Sequence, residues 1–343
     1  MDFVLTHSMY NFNSGYGQAL LHNIASRIPA MGRVFVVCDP DDTDEQNFEM
    51  LNQTFKPDPD GNVRFFTTLL AAYNACESNN NDVILLDGNS THTLATGLAW
   101  TKNRIHVFGM DGGGRAVQQG AKIELSGAVD VAYLIKNTGV RNSFRNIKFI
   151  QSSTHANALN VLQAAGEGNL YEDCSFLFGV ADNLDLTTSS EILLGEDAGT
   201  FRRCSIGTDV LLTSGARNIM ALDAITGASS ADGAKSNRFI DCEFLVMSSS
   251  ASAVLIKVID TAGAKLLNRF TNCSFIAVLS TGGGGVAITN AVQSVASFVD
   301  GTLVFERPIT AGPTNFCNTL SANVIVAGAP VFGAGTHEGG TPT

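Results

Sequence analysis

The chain has 343 residues, 34 of them glycine, and only 15% of its residues are charged, compared with about 25% in an average globular protein. Its formal net charge is −11 and no cluster of Lys and Arg stands out, which argues against a nucleic-acid partner. No apolar run reaches the roughly 18 to 20 residues that cross a bilayer, and the N-terminus lacks the basic region of a secretory signal, so we expect synthesis in a cytosol and no membrane partner.

Residues 1–32 differ from the rest of the chain. They combine Asn, Ser, Gly and Tyr with a short apolar helical pattern over Leu20–Ile24, and no repeat is visible in them. We predict an N-terminal arm or docking segment here.

Residues 33–82 are predicted to form a capping region. Val34–Val37 has the pattern of a buried strand, and Thr67 or Thr68 is placed to cap a helix that runs from Leu69 to Cys76. A helix ahead of the first coil would cover the open core of a solenoid, which terminal units must do.

Two acidic stretches of this region raise the question of calcium. Asp39–Asp44 lacks the glycine that an EF-hand loop has at its sixth position, and the stretch that starts at Asp58 has Leu69 at the twelfth position instead of Glu. We therefore predict solvated turns.

The sequence from residue 83 onwards resembles a known fold. Val83–Gly88, then His92–Leu94, then Ile105–Gly114 are similar to the opening coils of pectate-lyase-like right-handed β-helices. The resemblance covers about residues 63–305 and implies an all-β, right-handed parallel β-helix, a fold and not an activity. The segment before it, with Val34–Val37 and Pro57–Gly61, resembles β-helical virion proteins of tailed bacteriophages, particularly capsid decoration or cement proteins.

Two features of these first coils are tested for ligand binding. Gly112–Gly114 follows a strand but lacks the Lys and Ser or Thr of a phosphate loop, so a turn between coils is favoured. His92 and His106 are placed on neighbouring coils, but a metal site needs a third ligand and none is indicated. We predict no metal and no cofactor.

A six-residue pattern recurs through the middle of the chain. An aromatic residue is followed by two mostly polar residues, a central small or apolar residue, a polar residue and an apolar residue, with copies about 27 to 38 residues apart, a period typical of solenoids. Five clear copies and a weaker sixth are Phe144–Phe149, Tyr171–Phe176, Phe201–Ile206, Phe239–Phe244, Phe270–Phe275 and Phe298–Leu303.

The pattern predicts how each copy packs. Strand side chains alternate between faces, so the central residue and the residue two positions later share a face, which we expect to point inward. Stacked copies bury each other's apolar edges and complete each other's backbone hydrogen bonds. Residues 83–305 are therefore predicted to be the parallel β-helix.

Most central positions hold cysteine. Cys174, Cys204, Cys242 and Cys273 are expected to stack as an interior column, because their separations are unlike metal-ligand spacing and a small polarizable side chain suits a tight corner. An odd total of seven cysteines without an export signal favours reduced thiols.

An alternative with catalysis is left open at one place. Asp241 and Glu243 are expected on one outward strand face, with Arg202 and Arg203 one coil earlier and Asp260 nearby, which would form a groove. Paired carboxyl groups are what glycosidases need, and β-helical lyases add acid-bound calcium. Outward charges on a solenoid wall are usually solvated, so our main prediction has no catalytic residue.

Residues 306–343 are predicted to form a C-terminal strand and tail. Two apolar, glycine-containing segments, Ser321–Val326 and Ala327–Phe332, either help to hold a trimer together or form a final irregular coil.

The main prediction of function is a virion structural protein without enzymatic activity. It would decorate and stabilise a phage capsid, with the major capsid protein and two further copies of itself, in a homotrimer, as partners at the capsid surface. The alternatives are a tailspike-like polysaccharide lyase or hydrolase, and a receptor-binding fibre.

Overall fold

The computed structural model describes residues 32–41, 45–57, 61–110, 120–179, 188–212, 218–222, 234–248, 254–258, 268–279, 294–299, 302–308 and 324–327. The predicted arm at residues 1–32 lies almost entirely outside these residues, as do Asp260, Gly112–Gly114 and most of the predicted C-terminal segment.

The described residues form two helices and twenty-five strands. The helices are α1 (Glu45–Thr54) and α2 (Leu69–Ala75). The strands are β1 (Val34–Val37), β2 (Phe65–Phe66), β3 (Val83–Leu86), β4 (Thr91–Leu94), β5 (Leu98–Trp100), β6 (His106–Gly109), β7 (Lys122–Gly127), β8 (Tyr133–Asn137), β9 (Ser143–Arg145), β10 (Lys148–Ser153), β11 (Asn160–Ala164), β12 (Leu170–Glu172), β13 (Ser175–Phe178), β14 (Ser190–Leu194), β15 (Thr200–Arg202), β16 (Ser205–Leu212), β17 (Asn218–Leu222), β18 (Arg238–Ile240), β19 (Glu243–Ser248), β20 (Val254–Val258), β21 (Asn268–Thr271), β22 (Ser274–Leu279), β23 (Ser294–Val299), β24 (Thr302–Pro308) and β25 (Val324–Ala327).

Successive strands belong to three different sheets. Sheet A has the order β2-β1-β3-β6-β9-β12-β15-β18-β21-β24-β23, sheet B β25-β22-β19-β16-β13-β10-β7-β4, and sheet C β20-β17-β14-β11-β8-β5. From β3 to β22 each coil adds one strand to each sheet, parallel to the strand of the coil before. The predicted all-β parallel β-helix is confirmed.

The N-terminal region packs against the first coils. Helix α2 lies at the core, where Leu69, Ala72 and Tyr73 are buried and the Tyr73 ring lies 4.2 Å from that of Trp100. Thr68 Oγ1 accepts a hydrogen bond from the Ala71 backbone N–H at 3.3 Å, so the predicted cap is confirmed. The structure also has a strand that we assigned to the capping region, since β1 pairs with β3 as a continuation of sheet A.

Helix α1 is a feature that the sequence did not reveal. Phe55, which directly follows it, packs on the outer face of sheet A against Val36, Leu85 and Phe108. The helix sequence EQNFEMLNQT carries few apolar residues, so its apolar periodicity is weak. It covers strands that would otherwise expose apolar side chains.

The recurring aromatic residues form a stacked ladder inside sheet A. Neighbouring rings lie with their centroids 4.5 to 5.5 Å apart along Phe144, Tyr171, Phe201, Phe239 and Phe270. Each is buried, and each pairs in register with its equivalent on the next coil. The repeat in the sequence is therefore a spatial column.

The corner between sheets A and B explains the polar residue that precedes each central position. This residue has a positive φ of 51° to 55° in every clear copy, which turns the chain from one sheet into the next. The next side chain then points inward, and the five corner residues are Asn146, Asp173, Arg203, Asp241 and Asn272.

The four central cysteines lie inside, as predicted. All are buried, and the Sγ of Cys204 donates a hydrogen bond to the carbonyl of Tyr171 on the preceding coil at 3.3 Å. Cys174, Cys242 and Cys273 make the equivalent bond at 3.4 to 3.5 Å. The column fills the corner and bonds to the backbone.

The weak sixth copy is not a further coil. Strand β24 pairs antiparallel with β21 and with β23, so Phe298–Leu303 belongs to an antiparallel arrangement at the end of sheet A. Val299 is the antiparallel register partner of Thr302, so the strands on either side of the predicted corner run in opposite directions. In the described part of the chain no helix is long and apolar enough to span a membrane.

Candidate functional site

Asp241 and Glu243, the two candidate catalytic carboxylates, do not share a strand. Asp241 is the corner residue, with φ 55°, and its Oδ1 accepts a hydrogen bond from Asn272 Nδ2 at 2.7 Å. Glu243 begins β19 in sheet B and is exposed, in register with Ser205. The expectation that both lie on one strand face was wrong, because the positive φ at Asp241 breaks the alternation of a strand.

Arg202 and Arg203 turn towards the coil that precedes them and not towards Asp241. Arg202 Nη1 lies 3.3 Å from Glu172 Oε1, and Arg203 Nη2 lies 2.9 Å from the same oxygen. Arg203 also forms a two-pronged bond with Asp173, with Nε and Nη2 each 2.7 Å from a carboxylate oxygen.

Arg145, on the coil before Glu172, completes this group. Its Nε lies 3.3 Å from Glu172 Oε2, so one carboxylate contacts three guanidinium groups. We call Arg145, Glu172, Asp173, Arg202 and Arg203 the arginine–carboxylate cluster. It crosses three coils on the outer face of sheet A.

Burial and charge decide what the cluster can do. The Glu172 side chain is 6% exposed, whereas that of Arg202 is 51% exposed. The bonds from Asp173 raise the pKa of Arg203 above its ordinary value, against the opposing effect of burial. Glu172 contacts all three guanidinium groups, so its role in the cluster is to hold the arginines in place.

Aromatic and imidazole groups lie beside the cluster on the first coils. The Arg145 guanidinium lies 5.3 Å from the centre of the Phe108 ring, within range of a cation–π contact. His106 forms a hydrogen bond with Ser143 Oγ at 2.8 Å, and burial followed by the charge of Arg145 lowers its pKa to about 4. His106 is therefore neutral at physiological pH.

Further arginines continue the same face beyond the cluster. Arg238 and Arg269 are register partners on consecutive strands of sheet A, and both are exposed. Together with Arg202 they place cationic side chains on three successive coils of an otherwise acidic protein. Such a row can bind anions, since guanidinium pairs with carboxylate through two parallel hydrogen bonds.

Known proteins give only a distant comparison. No known protein family matches the sequence, and no curated protein matches it. Solved structures of pectin methylesterases are similar to this chain. The structure of a pectin methylesterase variant in complex with hexasaccharide IV is 13% identical in sequence to this chain and has a TM-score of 0.40. The match covers 92% of this chain and 99% of the enzyme chain. The enzyme PemA from Erwinia chrysanthemi is 13% identical over 91% of this chain and 99% of its own, with a TM-score of 0.38.

These structures correct one prediction. We expected a protein without enzymatic activity, and this prediction is contradicted, because the similar solved structures are pectin methylesterases, which are enzymes. Metal binding finds no further candidate, because the described residues contain no group of three or more His, Cys, Asp or Glu side chains that could hold an ion.

Glu172 and Arg145 were missed by sequence reasoning, although a signal for them existed. Glu172–Asp173 occupies the same two positions of the repeated pattern as Arg202–Arg203 on the next coil. Writing the copies one above another places the two acids directly against the two bases. Those pairs across coils, and not residues close in sequence, form the charged surface.

Proposed function

We propose that this protein is a carbohydrate-active β-helix that binds an anionic polysaccharide along the outer face of sheet A. The observation that carries the proposal is the row of exposed arginines on three successive coils. Arg238 and Arg269 are register partners, and Arg202 lies on the coil before them, two positions further along its strand, as the partner of Ile240. The chain has a net charge of −11, so a cationic row on it is a local feature and not a general property of its surface.

The spacing of the row suits a polymer better than a single small anion. Parallel strands lie about 4.8 Å apart, so the register partners Arg238 and Arg269 are separated by about that interval, and Arg202 lies one strand further on and two residues along. A chain with repeated carboxylates would contact several guanidinium groups at once, and weak contacts that form together raise the overall affinity. The arginine–carboxylate cluster would hold Arg202 and Arg203 in place before the ligand arrives.

Asp241 and Glu243 stay the candidates for a lyase or hydrolase reaction at this surface. Asp241 lies at the corner one coil beyond Arg203, and Glu243 is exposed on the adjoining sheet. Carboxyl groups on both sides of a bound chain are what glycoside cleavage requires.

The test is incubation of the purified protein with bacterial capsule, lipopolysaccharide and pectin, with and without calcium. We expect binding that weakens when Arg202 is replaced by Ala and when salt is added, because the contacts are ionic. Arg64→Ala, a change at a cationic residue away from sheet A strands β15 to β21, is the control. Equal binding by Arg202→Ala and the control would contradict the proposed surface.

Cleavage is measured in the same samples as released reducing ends. We expect Asp241→Asn or Glu243→Gln to abolish it while leaving binding intact. Cleavage that persists in both variants would remove these two residues as the catalytic pair.

The predicted place in a virion is a separate proposal. In the first version of this proposal, the protein is a homotrimer at the capsid surface and binds the major capsid protein. In the second version, the protein is a spike or fibre at the tail. Imaging labelled protein on particles distinguishes these positions. Binding to expanded empty capsids that weakens after deletion of residues 1–32 would support the capsid position.

A further inference from the structure

A ladder of asparagines lines one turn of the solenoid, and one coil breaks it. Asn142, Asn169 and Asn237 lie directly before a strand of sheet A, Asn268 is the first residue of β21, and all four are buried. The backbone N–H of Asn142 donates a hydrogen bond to Asn169 Oδ1 at 2.8 Å, and the backbone N–H of Asn237 donates to Asn268 Oδ1 in the same way at 3.1 Å. The coil between Asn169 and Asn237 has Gly199 at this position.

Glu196 fills the space that the missing asparagine leaves. In the two preceding coils a glycine stands three residues before the asparagine, and a Cβ on Gly139 or Gly166 would lie 2.5 Å from the side-chain nitrogen of Asn142 or Asn169. In the coil of Gly199 the glycine stands at the asparagine position, and Glu196 stands three residues before it, at the usual glycine position. A Cβ on Gly199 would overlap Glu196 Oε1. One side chain fits at this level of the turn, and here it is a carboxyl group.

The Glu196 carboxyl group cannot form all the hydrogen bonds that an asparagine amide forms in the other coils. Glu196 is fully buried, and its Oε2 accepts a hydrogen bond from Asn169 Nδ2 at 3.0 Å. Its Oε1 has no hydrogen-bond partner among the described residues. Burial, with a smaller contribution from Asp197, raises the pKa of Glu196 to about 8 despite the opposing bond from Asn169.

The charged and titratable groups around Glu196 do not neutralise it. Asp197 is an acid, and Lys235 lies 2.9 Å from Asp197 Oδ2. Tyr171 is buried one coil earlier with its hydroxyl bound by Asn137 Nδ2, and Glu167 is the bridge partner of Asp197. Burial, with a smaller contribution from Glu196, raises the pKa of Tyr171, so the phenol stays neutral.

We propose that Glu196 is a proton-operated weak point of the solenoid: it is buried as the neutral acid, and its ionisation loosens the turn at residues 195–200. The same residue carries bonds that join coils, since its backbone carbonyl accepts from Asn237 Nδ2 at 2.8 Å and from the Lys235 N–H at 3.3 Å. Loosening this turn therefore weakens the contact between the coils on either side.

The direction of the pH effect follows from proton linkage. A carboxyl group that holds its proton more tightly in the closed turn than in the opened one favours closure fully at low pH. That advantage falls as the pH rises from the ordinary Glu value of about 4.5 and is lost above about 8. One proton is released on opening, so the opening equilibrium rises about tenfold per pH unit in that interval.

The experiment is hydrogen–deuterium exchange of peptides that cover residues 190–204, read as protection factors that correct for the intrinsic pH dependence of exchange. In the full-length protein we expect protection to fall about tenfold per pH unit between pH 5.5 and 8 and then to level off. Glu196→Gln should remove this dependence, because the amide has no proton to lose. Asp197→Asn, a change at the neighbouring acid, should retain it.

A second variant restores the ladder and keeps the test independent of how well Glu196→Gln folds. The double change Glu196→Gly with Gly199→Asn copies the arrangement of Gly166 and Asn169, and we expect protection that does not change with pH over the same interval. Protection in the unaltered protein that is independent of pH, or a dependence that survives in either variant, would overturn the proposal.

Discussion

Single residues at the corners of the solenoid decide which side chains meet. The positive φ at Asp173, Arg203 and Asp241 aims these side chains outward between two sheets, where residues of neighbouring coils lie one above another. Arg203 can then reach both Glu172 and Asp173 on the preceding coil. Ionic contacts on this surface are consequently contacts between coils.

Replacing Glu172 with Ala tests whether the cluster stabilises the fold. Glu172 is the shared partner of three arginines and is almost buried, and breaking such a group costs about 3 kcal/mol of unfolding free energy. Urea denaturation should show this loss. Asp241→Asn, at a corner residue with a single amide partner, should change the stability by less than about 0.5 kcal/mol. Equal losses for the two variants would show that the cluster contributes nothing special.

Stacked strands are the elements that convert the sequence repeat into a core. Parallel pairing in register places each aromatic ring directly on its equivalent, so the ladder from Phe144 to Phe270 is a consequence of strand register. Phe201 lies in the middle, 4.5 Å from the Tyr171 ring and 4.7 Å from the Phe239 ring. Each ring therefore supports two coils.

Phe201→Ala should destabilise the protein by about 3 to 5 kcal/mol, because it removes a buried ring and leaves a cavity that two fixed neighbours cannot fill. Phe201→Leu keeps most of the volume and should cost about 1 to 2 kcal/mol. Thermal or urea unfolding followed by circular dichroism measures both. If the two variants lose the same free energy of unfolding, ring stacking between coils, and not the buried volume of the side chain, would be the main contribution of Phe201 to stability.

For the whole molecule, stability comes from contacts between neighbouring coils. A solenoid has no single centre, and each coil is held by the one before and the one after. The cysteine thiols can be used to detect the loss of these contacts. The described cysteines are spread from Cys38 in the predicted capping region to Cys273 in a late coil, and all are buried. Burial raises the pKa of the Cys76 thiol to about 12, which suppresses the reactive thiolate.

Thiol labelling should therefore follow unfolding. Cys317 lies outside the described residues, so the experiment uses a Cys317→Ser variant with six cysteines left. We expect negligible reaction with a water-soluble thiol reagent in the native state and labelling of all six in denaturant. Peptide mapping identifies the sites. Fast native labelling of Cys174, Cys204 or Cys242 would contradict the interior column.

The amino-acid sequence determined the features that depend on short-range geometry. Alternation along a strand identified the inward positions of the repeat, and a threonine before an apolar turn identified helix α2 and its cap. The tertiary structure decided what lies beside what. It placed Glu172 among three arginines, and it placed Asp241 at a corner and Glu243 on the strand that follows. It put the Glu196 side chain at the level of the turn where other coils have an asparagine side chain, and it paired β24 antiparallel with β21. The physical reason is that neighbours in a solenoid are about one coil apart in sequence, and the exact pairing depends on backbone turns whose φ angles no short pattern specifies.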